Sequence, residues 1–292
     1  NAARRKSETK NDKGKADANP QNTKSNHLLA KISYIAQDSS KLSFTAENFR
    51  RRQQTELNTI KGQEPGGVDK IKDVFFARNE SNDERTRFSL DYNEERSSSL
   101  WDSLETKLFY QSTKTHSVTD EKSNLVNLTN GEKTPSRDRT DDILFERDIF
   151  GFTAEASRKI ETNKRLSTLS YGIEISEETA NNDFIRTERA NVFDFNPASI
   201  AYDEAKLKRY DCFLQNITEW DRWLLQVGIR AGYYELLPEN SPEFLSQDNA
   251  PPASPDYDNL TLSPSLSVQY EINPETIIWG RYAQGIRNPG VE

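Results

Sequence analysis

Few residues of this chain have the types and spacing that catalysis or metal binding requires. The 292 residues include two histidines, His27 and His116, and a single cysteine, Cys212. One cysteine excludes an internal disulfide framework and a cysteine metal cluster, and two separated histidines leave few candidates for a nucleophilic triad. The sequence has no glycine-rich phosphate loop, nucleotide fingerprint or zinc-ligand spacing. We therefore assign no catalytic residue and no metal ligand, and we expect the protein not to be an enzyme.

The composition narrows the class of protein. Only 33% of the residues are hydrophobic, 29% are charged and the mean hydropathy is −0.90, so a conventional soluble core would be short of apolar side chains. Aromatic residues nevertheless make up 10% of the chain and fall in alternating segments, unlike those of disordered chains. A large antiparallel barrel with a polar lumen, a lipid-facing band and long hydrophilic loops combines these properties. The net charge of −8 disfavours a nucleic-acid partner.

Alternating apolar and polar residues recur along the chain in paired runs. In the last hairpin, residues 260–292, Leu266, Val268 and Tyr270 alternate with serine and glutamine, which is the period-2 pattern of a strand with one apolar and one polar face. The same pattern predicts about ten strands in five hairpins. The strands before residue 260 are predicted at 27–36, 42–51, 86–92, 104–113, 150–156, 169–175, 210–216 and 223–236.

The predicted connections alternate between short turns and long polar stretches such as 114–142. Outer-membrane barrels have short periplasmic turns, longer external loops and strands of about ten residues. The sequence therefore predicts an all-β fold, a transmembrane antiparallel β-barrel surrounded by outer-membrane lipid. Charged residues at alternate strand positions would line its lumen, namely Arg87, Asp91, Glu105, Lys107, Glu155, Glu174 and Arg230.

Both histidines fall at strand ends that this topology puts on the outer side of the membrane. Imidazole is a common axial ligand of haem iron. His27 and His116 are therefore the candidate ligand-binding residues, able to touch an arriving haem or haem protein. The alternative for each of them is a solvated loop histidine.

Three stretches of the sequence are similar to the barrel of TonB-dependent outer-membrane receptors, and most of all to the haem, haemoglobin and transferrin receptor branch. They are residues 26–47, 85–111 and 223–292. Family members commonly end a strand with Gly-Phe-Arg-Ala-Pro followed shortly by Glu. Here Gly285, Arg287, Pro289 and Glu292 match this motif after an outward-running strand, while Ile286 and Asn288 depart from it.

The resemblance implies a chain that is part of a longer receptor. Family barrels have 22 strands around an amino-terminal plug, so we expect a partial barrel at residues 26–292, preceded by a polar loop or disordered segment at 1–25, with the plug absent. It also implies a Gram-negative outer membrane and coupling to the TonB energy-coupling complex through the missing plug. The implied ligand is haem or a host haem or iron-carrier protein, with no intrinsic cofactor, and the haem ligands are expected in the missing plug and the following loop.

Other interpretations stay open at this stage. The ligand could be a siderophore rather than haem. The chain could form a small passive outer-membrane barrel, either a porin or an omptin-like enzyme, for which Asp141, Asp142, His116 and Asp183 would be the acidic residues and histidine at the external rim. A soluble β-rich binding protein is the third alternative, and it predicts extraction without detergent.

Overall fold

The computed structural model describes residues 2–9, 19–36, 39–65, 70–190, 193–195, 198–239, 253 and 255–285. Within these ranges the chain forms thirteen strands and one 3-10 turn, Asn58–Ile60. The strands are β1 (Ala2–Thr9), β2 (Asn19–Ile35), β3 (Ser40–Glu56), β4 (Gly62–Pro65), β5 (Lys70–Glu94), β6 (Ser103–Asn127), β7 (Lys133–Thr162), β8 (Arg165–Ala190), β9 (Phe193–Phe195), β10 (Ala198–Trp220), β11 (Trp223–Pro238), β12 (Tyr257–Asn273) and β13 (Thr276–Ala283).

All strands belong to one antiparallel sheet in which the long strands follow one another in chain order. Short turns join β2 to β3, β5 to β6, β7 to β8, β10 to β11 and β12 to β13, so the five predicted hairpins are confirmed. The two-residue turn between β10 and β11 places Asp221 at φ 53°, a left-handed conformation that aspartate tolerates. In the described part of the chain β1 pairs only with β2 and β13 only with β12, so the sheet has two open edges.

One face of the sheet carries a continuous band of exposed apolar side chains, here called the outward band. The register aligns it across the strands: Phe44 lies opposite Leu90, Leu90 opposite Leu108, and the row continues through Phe152. The band includes Leu28 to Tyr34 on β2, Leu42 to Ala46 on β3, Phe88 to Tyr92 on β5, Leu104 to Tyr110 on β6, Phe150 to Ala156 on β7, Leu169 to Ile175 on β8, Tyr210 to Leu214 on β10, Leu225 to Tyr233 on β11 and Leu260 to Tyr270 on β12. The period-2 prediction of one apolar face is therefore confirmed.

The strands are much longer than the sequence predicted. The polar stretch 114–142, predicted as a connection, is strand except for residues 128–132, and most of 177–208 is likewise strand. β7 has 30 residues, about 100 Å of extended chain, whereas a tilted strand crosses the hydrocarbon core with 9–11 residues. The strand parts beyond the band are here called the extensions: residues 47–56, 70–86, 111–127, 133–149, 176–190, 193–195 and 198–208.

The extensions form because cross-strand polar pairs replace apolar contacts. Arg51 donates to Asp83 at 2.6 Å, Lys114 to Glu146 at 2.6 Å, and Asn79 to Ser117 at 2.8 Å. With both faces hydrated, a strand needs no alternation of hydropathy, so the sequence pattern that identifies the band is absent here.

The amino-terminal prediction also needs correction. A polar loop or disordered segment was expected at residues 1–25, but β1 occupies Ala2–Thr9 and pairs with the start of β2, with Ala2 opposite Asn26. Backbone pairing to a neighbouring strand, which composition does not reveal, makes this polar segment a strand. Residues 10–18 lie outside the described ranges, and the division of the chain at residue 26 stays a prediction. In the described residues no helix is long and apolar enough to cross a membrane.

Candidate functional site

The inward face carries a charged groove next to the short turns. Six strands, β5 to β8, β10 and β11, line a cavity of about 430 Å³. Six flat strands would span about 24 Å, so the sheet must curve toward this face to enclose one cavity. The register puts all seven predicted lumen residues on the inward face, and six of them, all except Arg87, line the groove.

Arg230 of β11 links three strands across the groove. Its Nε donates to Asp211 Oδ1 at 3.1 Å, and its Nη2 lies 3.2 Å from Glu174 Oε2. Asp211 lies on β10, between Glu174 of β8 and Arg230 of β11. The sequence reasoning missed Asp211. The signal was present, because Asp211 occupies the inward position between the outward residues Tyr210 and Cys212.

The groove carries more negative charge than positive charge. Its lining includes five carboxylates against two cationic side chains, a formal charge of −3. Lys107 pairs with Asp91 at 3.3 Å. Glu105 and Glu155 lie directly opposite each other on β6 and β7, and among the described residues neither has a cationic partner within 4 Å. Like charges placed opposite each other are destabilising, so the groove favours a cationic surface from outside these strands.

Two phenylalanines on the inward face, Phe109 and Phe213, each pack over a glycine of a neighbouring strand. A Cβ at Gly151 would lie 2.4 Å from Phe109 Cζ, and one at Gly172 would lie 2.6 Å from Phe213 Cε1. Only glycine leaves room for a ring to lie flat across the adjacent strand. Phe213 is the cross-strand partner of Arg230, and both line the groove. The packing of Phe213 on Gly172 therefore shapes the groove beside Arg230.

His27 lies on the inward face of β2, at the outer edge of the band. Its Nε2 donates to Glu47 Oε1 at 3.1 Å, and Glu47 also accepts a hydrogen bond from Arg85. The His27 side chain is 41% exposed and Glu47 only 13%. A carboxylate that holds one ring nitrogen orients the imidazole and strengthens the other nitrogen as a ligand.

His116 lies on the outward face of β6, in the extension. Its Nε2 donates to Asp142 Oδ1 at 2.7 Å. Cross-strand register places His27 level with Thr113 of β6, and His116 comes three residues later, which turns it to the opposite face. The structure therefore does not bring the two predicted ligand-binding histidines together, and whether either binds a ligand stays a prediction. Asp183 shares the outward row of His116, whereas Asp141 faces inward.

Two arginines that the sequence reasoning missed, Arg139 and Arg186, share the carboxylate of Asp141 on the inward face of the extension. Asp141 accepts hydrogen bonds from Arg139 Nε at 3.0 Å and Arg186 Nε at 2.7 Å. Burial raises the pKa of Asp141, but the hydrogen bonds and charges of the two guanidiniums outweigh it and hold the pKa below the ordinary aspartate value. Arg139 also lies directly opposite Glu121 of β6 and Glu188 of β8, so carboxylates of the same wall balance the two guanidiniums.

Of the four residues that match the family motif, the structure describes one, Gly285. Gly285 follows the end of β13 and is exposed. Arg287, Pro289 and Glu292 lie outside the described residues. Within the described residues, no group of three His, Cys, Asp or Glu side chains is arranged to hold a metal ion.

Long antiparallel strands in one sheet, an apolar outward band and a charged inward groove define the wall of a transmembrane β-barrel. The family model of the TonB dependent receptor-like β-barrel matches residues 26–292, and the chain belongs to this family. Barrels of the family lie in the bacterial outer membrane. The family match does not distinguish the haem, haemoglobin and transferrin branch from the others.

No curated protein matches the chain. Among solved structures, the ferric citrate transporter FecA in its unliganded form aligns at 11% sequence identity with a TM-score of 0.43. The alignment covers 88% of this chain and 40% of the transporter, so the chain spans less than half the length of that protein.

Proposed function

We propose that the protein is part of an outer-membrane receptor that captures an iron-bearing ligand outside the cell and imports it without covalent chemistry. The observation that carries this proposal is the acidic inward groove behind a lipid-facing band, in a chain of the TonB dependent receptor-like family. A passive pore needs a wetted lumen, whereas unpaired carboxylates on the lumen wall favour a cationic partner inside the barrel.

The partner proposed for the groove is the plug of the same receptor. Glu105 and Glu155 lack cationic partners among the described residues and would bind basic side chains of the plug. Solvent-exposed ion pairs are each worth about 0–1 kcal/mol, so such contacts hold the plug and still let it move. A periplasmic energy-coupling complex of the TonB type would pull the plug and release the ligand inward.

Haem is the ligand we propose first, and His27 is the candidate contact. It faces inward, and the Glu47 carboxylate accepts a hydrogen bond from its Nε2 and so orients the ring. Imidazole is a common axial ligand of haem iron. His116 faces outward, away from the lumen. An anionic ferric siderophore is the alternative, and the guanidiniums of Arg139 and Arg186 on the inward wall would donate hydrogen bonds to it.

Growth of the producing bacterium on defined iron sources tests this proposal. A strain lacking the gene should lose growth on haem as sole iron source and regain it from a plasmid copy only if the energy-coupling complex is intact. His27→Ala should reduce haem-supported growth, with His116→Ala as the matched control that leaves it unchanged. Loss of growth on a ferric siderophore alone would favour the alternative. Growth that does not depend on the energy-coupling complex would support a passive barrel and refute the importer.

A further inference from the structure

On β8 and β10, polar residues interrupt the outward band near the short turns. On β8 and β10 the outward positions hold Ser167, Asn216 and Thr218, although Leu169 and Leu214 in the neighbouring outward positions are apolar. Ser167 Oγ lies 2.7 Å from Thr218 Oγ1, and Thr218 donates to Asn216 Oδ1 at 2.7 Å. Because the Thr218 proton is used for Asn216, Ser167 must donate to Thr218. In the described part of the chain, the amide nitrogen of Asn216 has no acceptor.

An arginine lies directly beside this polar group, on the side of the turns. Arg165 is the cross-strand partner of Trp220, and its guanidinium lies over the indole ring at 4.8 Å from the centroid. Both side chains are exposed, and Trp223 lies opposite Trp220 on the next strand. Arg165, Ser167, Asn216, Thr218 and Trp220 are here called the notch.

The charge of the notch is not balanced within the described chain. In the extensions, all eight arginines with described side chains, from Arg50 to Arg186, have a carboxylate within 4 Å. Near the turns, Arg96, Arg158, Arg165 and Arg222 have none within the described residues. Arg158 and Arg222 donate instead to backbone carbonyls, of Ser99 and Ile272. Among the residues that the structure describes, the Arg165 guanidinium contacts the indole ring of Trp220 and no carboxylate.

A phosphate diester is the group whose chemistry fits the notch. A guanidinium binds phosphate oxygens through paired hydrogen bonds. Tryptophans at the edge of an apolar band mark the level of the lipid headgroups. A lipid whose phosphate lies on Arg165 would lay its acyl chains along Leu169, Leu214 and Leu225, which continue the band away from the turns.

We propose that the notch is a phospholipid-binding site that holds the headgroup phosphate in the leaflet next to the short turns. The inference rests on the membrane placement of the proposed function. It adds a specific lipid contact that neither the band nor the groove requires.

The test is the amount of phosphatidylglycerol bound to the full-length protein, purified from membranes in mild detergent and titrated by native mass spectrometry. Arg165→Gln should weaken binding about tenfold, because a charge-assisted hydrogen bond is lost. Thr218→Ala should weaken it less. The matched control is Arg281→Gln, which changes an inward-facing arginine that has no ion pair in the described chain; it should bind like the wild type.

Equal binding by wild type and Arg165→Gln, or an equal loss in Arg281→Gln, would overturn the proposal. Displacement of the lipid by inorganic phosphate would also overturn it, since the notch would then be a plain anion site. Heat-dependent gel mobility of each variant reports whether the barrel is inserted and folded. An inserted barrel that binds lipid equally with and without Arg165 would refute the notch alone, whereas a protein extracted without detergent would refute the membrane placement itself.

Discussion

Gly172 offers the most direct test of how the inward wall is packed, through the single change Gly172→Ala. An added Cβ would lie 2.6 Å from the carbonyl oxygen of Ala154 and 2.6 Å from Cε1 of Phe213. Phe213 can rotate away, but the Ala154 carbonyl belongs to the backbone of β7 and cannot move without disturbing its pairing with β8. We therefore expect β7 and β8 to separate locally.

The expected cost follows from two opposing effects. Overpacking a tight site by one methyl group costs about 1–3 kcal/mol. Replacing glycine by alanine also reduces the conformational entropy of the unfolded chain, which returns about 0.4–1 kcal/mol. Taken at their midpoints, the two effects together should lower the free energy of unfolding by about 1.3 kcal/mol.

Urea unfolding of the barrel in lipid bilayers, followed by gel mobility, measures this loss. Gly280→Ala on β13 is the matched control, because nothing lies within 4 Å of a Cβ placed there; it should be neutral or slightly stabilising. Adding Phe213→Leu to Gly172→Ala should recover part of the loss by removing one of the two clashes. If Gly172→Ala unfolds at the same urea concentration as the wild type, the close packing of Phe213 on Gly172 is wrong.

Two further predictions concern charge. Asp141→Asn should lower the free energy of unfolding by about 2 kcal/mol at neutral pH, because two guanidiniums lose their shared carboxylate. Since the pKa of Asp141 is lowered in the fold, this stabilisation is present above the ordinary aspartate pKa of about 4 and is lost as the pH falls below it; wild type and variant should therefore converge in urea titrations at acid pH. Glu155→Gln should relieve the repulsion between Glu155 and Glu105 and stabilise the barrel by about 0.2–1 kcal/mol. The same change should weaken retention of the plug in the full receptor, which is measured by titration with salt. A variant that retains the plug as well as the wild type does would contradict the role of the groove.

The sequence predicts the membrane-crossing part of the fold well, for a physical reason. A strand between lipid and a wet lumen must alternate apolar and polar residues, and runs such as Leu266, Val268 and Tyr270 display that alternation. The extensions lack this constraint. The stretch around Ser117 and Thr119 is strand because Asn79 and its neighbours pair with it across the sheet, and no local pattern shows a cross-strand partner.

The inward residues were predictable one strand at a time, but their combinations were not. Arg230 could be assigned to the lumen from alternation in β11, whereas its contact with Glu174 requires the register of three strands. The relation of His27 to His116 depends on three successive registers, and a shift of one residue in any of them would put both on the same face. Sequence reasoning therefore found the candidate residues and could not decide which of them meet.

Charge balance separates the part of the wall that is complete from the parts that require partners. In the extensions, each arginine whose side chain is described has a carboxylate partner in the same chain, so these arginines need no other molecule to compensate them. Nearer the turns the described residues do not balance their charges. The groove on the inward face has carboxylates without a cationic partner, and the notch on the outward face has a guanidinium without an anionic partner. An uncompensated charge is costly wherever water is scarce, so each excess favours a partner of opposite charge on its own side. A basic plug surface meets this condition inside the barrel, and a phospholipid phosphate meets it outside.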